Sequence, residues 1–192
     1  MGKHGMGASR ICAGVGALLL AACATQAPPA PAYDAAAIVR AIRAAGAASG
    51  SELEVQPLRD PQLEDLRQEA AQLEEKHMYR GAAERLDRAL ALNAGDPALL
   101  QERAELAFLL REPDQAQEFA KQAIDLGSTT GPLCRRHWET RLQAALLRAN
   151  DRVIRRDESE TQATARVQAA AAEVRAARTQ RDACTVAAPN RY

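Results

Sequence analysis

An all-α fold is what this sequence predicts, and three observations predict it. Alanine, the residue of highest intrinsic helix propensity, is abundant throughout the chain. Few stretches show the β-branched alternation of a strand, and aromatic residues make up only 3% of the 192 residues. Residues 63–96 repeat at 97–130: Leu66 falls on Leu100, Ala70 on Ala104, Ala82 on Ala116 and Ala89 on Ala123, each pair 34 apart. A fixed period in this range marks stacked copies of one supersecondary unit.

The chain opens with the grammar of a secretory leader. Lys3 and Arg10 give a cationic start, residues 11–20 an apolar run, and small residues follow. The run is about half of the roughly 20 residues that a spanning helix needs, which predicts a removable leader over residues 1–22. Leu20-Ala21-Ala22-Cys23 resembles the lipobox of bacterial lipoproteins. The resemblance implies cleavage before Cys23, acylation of its thiol and amine (palmitate among the chains), and Cys23 as the first mature residue. An ordinary signal peptide with an incidental cysteine is the alternative. In Gram-negative members of that family an Asp after the cysteine favours retention in the inner membrane. Ala24 instead implies the outer membrane, periplasmic side, with the inner membrane as alternative. Two or three acyl chains anchor stably, because each buried methylene contributes about 0.8 kcal/mol.

Residues 23–33 read as a lipidated, proline-rich tether. At about 3.1 Å per residue in polyproline II, it spaces the domain roughly 30 Å from the lipid. Residues 34–61 then hold a short helix, from an Asp34 N-cap to Ala45 with Gly46 as stop, and an extended segment. In that segment Glu52, Glu54 and Gln56 alternate with Leu53, Val55 and Pro57, a weak strand pattern.

Residues 62–130 carry the repeat. His77-x-Tyr79-x-x-Ala82 and Leu86-x-x-Ala89 resemble the turn and second helix of the tetratricopeptide repeat (TPR) family, where Gly-x-Tyr-x-x-Ala is usual. Asp96-Pro97 supplies an N-cap and an N1 proline. The recurrent alanines suit helices that cross closely, since larger side chains would push the axes apart. Departures are plain: Ala94 and Ser128 stand where a proline is usual, and Pro113 replaces the usual aromatic. A generic bundle of α-hairpins is the alternative. Two units rarely bury a continuous core alone. Residues 131–192 should therefore supply a degenerate third repeat over 133–148, with Trp138 where Ala70 and Ala104 stood, and a capping helix over about 159–183. In that last helix Ala163, Val167, Ala170, Val174 and Ala177 form a thin apolar seam, with Cys184 in phase.

With Cys12 removed and Cys23 acylated, Cys134 and Cys184 remain as an even pair in an oxidising compartment, which predicts a disulfide. The competing reading is half a zinc site, Cys134-x-x-His137, which His77 and Cys184 would have to complete. His77 itself reads as a solvated turn residue. No nucleophile elbow, metalloprotease or phosphate-loop motif is present, and no haem attachment motif. The reading is therefore of a non-enzyme without metal or cofactor. The formal net charge is +0, from 25 basic and 25 acidic residues, which does not suggest a nucleic-acid surface.

The repeat resemblance implies a groove lined by the first helix of each unit. Carried over position by position, its lining is Glu64, Arg67, Ala71 and Glu74, then Gln101, Glu105, Phe108 and Leu109, then Arg135, Glu139 and Leu142. Phe108 reads either as an exposed anchor for a partner or as core packing. As an anchor, its loss in Phe108→Ala, like Glu105→Arg, would weaken partner capture without unfolding the domain. The function expected is a membrane-anchored periplasmic scaffold that binds envelope proteins or peptides. The alternative is a homodimeric spacer held together by the Ala/Val seam.

Overall fold

A computed structural model describes residues 33–47, 60–127, 129–151 and 153–185. The leader, Cys23, the tether up to residue 32 and most of the expected strand segment, 50–59, lie outside the described residues. Those described form seven helices and no strand, with 80% of residues helical. None of these helices is long and apolar enough to cross a membrane.

The helices are α1 (Ala35–Ala45), α2 (Pro61–Glu75), α3 (Tyr79–Leu92), α4 (Pro97–Leu109), α5 (Pro113–Leu126), α6 (Gly131–Asn150) and α7 (Glu160–Ala183). Their starts are set locally. Asp34 accepts from the backbone N–H of Ala37, Asp60 from Gln62, and Asp96 from Ala98 and Leu99. Each satisfies N–H groups that have no partner inside the helix. Prolines open α2, α4, α5 and α6, where a missing N–H costs nothing. Ser159 and Gln162 form a reciprocal capping box at the start of α7, one residue from the expected boundary.

The 34-residue recurrence extends to the turns. Between α2 and α3, Met78 N–H donates to Leu73 C=O and His77 N–H to Glu74 C=O, both at 2.8 Å. Between α4 and α5, Glu112 N–H donates to Ala107 C=O at 2.8 Å and Arg111 N–H to Phe108 C=O at 2.9 Å. Every partner is shifted by the same interval. This is the Schellman closure, whose pivotal residue is left-handed and usually glycine. Here the pivots are His77 (φ 58°) and Arg111 (φ 64°).

The small positions are buried as expected. Ala82, Ala89, Ala104, Ala116 and Ala123 are fully covered, and Ala70 nearly so. α2 packs on α3, α3 on α4, α4 on α5, α5 on α6 and α6 on α7. The α7 seam is covered within the chain: Ala163, Ala170, Ala177 and Cys184 are buried, in a helix whose packing partner is α6. The stripe that suggested a homodimeric spacer is therefore already occupied. Cys134 and Cys184 are bonded, with Cα atoms 5.7 Å apart, tying the first turn of α6 to the end of α7. The zinc alternative fails accordingly. Both thiols are consumed, and His137 Nδ1 is engaged by Gln101. No group of three or more metal-ligating side chains converges among the described residues.

One element departs from chain order. α1 does not pack on α2, its neighbour in sequence; it lies against α4 and α6. Its buried Ile38, Val39 and Ile42 join Ala107, Phe108, Ala116 and Ala144 in one apolar cluster. Tyr33, expected in the tether, belongs to the fold as well. Its hydroxyl donates to Phe108 C=O at 2.7 Å, and the Arg111 guanidinium lies 4.4 Å from its ring centre. Burial raises the Tyr33 hydroxyl to about 12, against the opposing pull of Arg111.

Candidate functional site

The expected groove lining divides in two, and α1 makes the division. On one side, α1 covers Phe108, which is fully buried with Leu109 packed at its edge. Phe108 thus sits on the expected face but is core, not an exposed anchor. Truncating it to alanine would cost about 3–5 kcal/mol of stability, so the expectation of a clean binding variant is withdrawn. Glu105→Arg is withdrawn for the same reason, because Glu105 is fully buried. Arg135 is also nearly buried, and its Nε donates to the Ala45 C=O at the end of α1, at 2.9 Å. Glu139 is not part of this face. It accepts from Arg181 of α7 at 2.7 Å and serves the α6–α7 contact. Leu142 is core.

On the other side a cleft of about 550 Å³ stays open among α1, α2, α4 and α6. Glu64, Arg67, Ala71, Glu74 and the buried Glu105 are among its lining. Arg43, Glu75, Glu102 and Arg136 complete the charged wall. Sequence reasoning missed Arg43 and Arg136. Arg43 sits on a helix that the repeat pattern does not include. Arg136 lies one position beside a residue that the pattern does include, Arg135.

The charges of this wall are closely paired. Glu105 accepts from Arg43 Nε at 2.8 Å, from Arg136 Nε at 3.0 Å and from Gln101 Nε2 at 2.9 Å. Arg43 also pairs with Glu74 at 2.9 Å. Burial alone would lower the Arg43 pKa, but Glu105 and Glu74 outweigh it and hold the guanidinium firmly charged. Arg67 bridges Glu64 and Glu102, and hydrogen bonding to Glu102 pushes its pKa further up. Five carboxylates face three guanidinia across the cleft, so its lining carries a formal excess of negative charge.

Behind Glu105 lies a buried polar chain. Gln101 gives its second amide hydrogen to Thr140 Oγ1 at 2.9 Å, and Thr140 donates in turn to Arg136 C=O at 2.9 Å. Both Gln101 amide hydrogens are then spent. Its carbonyl oxygen, 2.7 Å from His137 Nδ1, must accept, which fixes the Nδ1–H tautomer of His137. His137 Nε2 is left as a buried lone pair with no hydrogen-bond partner among the described residues. Burial, aided by the charge of Arg136, lowers the imidazole to about 4. Protonation would place a second N–H where no acceptor waits. Gln101, expected in the groove lining, is therefore a buried brace for Glu105.

Gly46 has a specific role at the rim of the cleft. It ends α1 in a right-handed conformation (φ −82°), so no left-handed backbone demands glycine. A Cβ there would lie 2.5 Å from Arg136 Cγ and Cδ. The missing side chain lets α1 press against the arginine that neutralises Glu105.

His77 is exposed, as expected, its Nδ1 2.7 Å from the Tyr79 hydroxyl. Searched against known proteins, the chain matches no family model and no curated protein.

Proposed function

We propose that this chain is a lipid-anchored periplasmic scaffold that binds envelope proteins or peptides through a tetratricopeptide-like face built by α2, α4 and α6. The observation that carries the reading is the recurrence of a whole hairpin. The same Schellman closure, the same buried alanines, the same end of the first helix and the same span of the second return after 34 residues. Stacked units of this kind present the first helix of each repeat along one face. The open acidic cleft lies on those helices, and its charge excess suits a basic partner segment. The lipobox resemblance at Cys23 supplies the anchor, and with it the periplasmic, outer-membrane location. No catalytic step and no cofactor belong to this reading.

The test is a photo-crosslinking residue in place of Gln68, which is exposed and lines the cleft. In intact envelopes it should give a defined adduct with another envelope protein. Glu75→Arg, an exposed charge reversal on the same lining, should reduce that adduct roughly tenfold by meeting the basic segment with like charge. No adduct, or one indifferent to Glu75→Arg, sinks the reading. Mass analysis of the mature N-terminus tests the anchor, which requires an acylated Cys23 as first residue.

A further inference from the structure

α1 is inserted out of order. Each of the other helices packs on a chain neighbour; α1 skips α2 and lies across α4 and α6. It meets them as a bound peptide helix would. Three apolar side chains, Ile38, Val39 and Ile42, enter the cluster around Phe108 and Ala144, and one charged side chain, Arg43, reaches Glu105. This is the spacing with which an amphipathic helix lies in a groove.

Charge points the same way. α1 carries Arg40 and Arg43 and no acidic residue. The cleft beside it has five carboxylates, and one of its three guanidinia is Arg43 itself. With α1 removed, Glu74 and Glu105 lose Arg43, and on the α4–α6 face Glu105 is left with Arg136. Glu105 stays hydrogen-bonded to Arg136 and Gln101 in that state, so departure of α1 does not orphan a buried charge. Phe108 loses the α1 part of its apolar cluster at the same time.

We infer that the α4–α6 face covered by α1 is a docking groove for a cationic amphipathic helix of a partner protein, with α1 as its resident occupant in cis. The inference rests on the scaffold reading above and adds the chemistry of the partner and the means of regulation. Partner binding must first displace α1, so apparent affinity is reduced by the small fraction of chains with α1 released.

The probe is a fluorescein-labelled peptide of residues 34–46, measured by anisotropy on the full chain in detergent. Ile42→Glu places a charge in the apolar cluster and expels α1. The peptide should bind Ile42→Glu about tenfold or more tighter than the native chain, because the displacement step is gone. A peptide carrying Arg43→Glu should lose that binding. Native-state hydrogen exchange gives a second reading on the unmodified chain: α1 amides should exchange well before those of α4. The inference is overturned if the folded Ile42→Glu chain ignores the peptide. It is equally overturned if Ile42→Glu unfolds the whole domain, or if α1 and α4 are equally protected. Concentration-dependent dimers that exchange α1 would make a second copy the occupant and overturn the partner assignment. Peptide binding without any envelope adduct at Gln68 sinks the scaffold reading but not the groove; adducts without peptide binding do the reverse.

Discussion

Two residues carry backbone strain at a turn position that glycine usually fills. A non-glycine residue in the left-handed region costs about 1–2 kcal/mol, and His77 and Arg111 both sit there. His77→Gly removes the Cβ clash at the loss of an exposed contact to Tyr79. It should raise stability by about 1 kcal/mol, less glycine's extra unfolded-state entropy, and thermal unfolding should move up by a few degrees. An unchanged or lower Tm would show that the Tyr79 contact outweighs the strain.

The buried imidazole makes a second prediction. His137 has a folded pKa of about 4 against an ordinary value near 6.5. As pH falls below 6.5 the unfolded chain takes up a proton that the folded chain refuses. Stability should therefore decline between pH 6.5 and 4, where the folded form finally protonates. Between pH 7 and 5, before most carboxylates titrate, the loss should be about 2 kcal/mol. Urea titrations at the two pH values measure it, and His137→Asn should flatten the difference. A slope that survives His137→Asn would assign the proton uptake elsewhere.

At the scale of elements, α6 and α7 are a long antiparallel pair whose contact is thin on the α7 side, because its buried positions are alanines. The Cys134–Cys184 bond closes 50 residues of chain and contributes about 4 kcal/mol in the loop-entropy account. Cys134→Ser/Cys184→Ser should lower the unfolding free energy by that order and release α7 first. Amide exchange along residues 160–183 should then accelerate more than along α4. Uniform acceleration would mean that α7 and the repeats unfold as one unit. α1 is an element of the other kind: its three aliphatic anchors are large, but nothing covalent holds it to α4 and α6.

Across the whole molecule, the regular parts were legible and the site only half so. Helix starts were readable from Asp34 and Asp96, because capping is local chemistry. The repeat boundaries followed from the 34-residue spacing of small residues, which the hairpin turns reproduce bond for bond. In the candidate site Glu64, Arg67, Ala71 and Glu74, which the pattern puts on one helix face, line one cleft. Gln101, Glu105 and Phe108 were assigned to the right helix but given the wrong exposure. The repeat pattern says which way a first helix faces; it does not say what covers that face.

The sequence alone determined which segments are helices, where several of them start, which small residues meet, and that two cysteines pair. Those are local or periodic properties, fixed by side-chain size, capping atoms and spacing. Only the tertiary structure decided that Asp34–Gly46 returns to α4 and α6, that Arg43 and Arg136 converge on Glu105, and that His137 is held neutral behind them. Those facts join residues as far apart in the chain as Ala45 and Arg135, 90 positions, and no local preference encodes such a meeting.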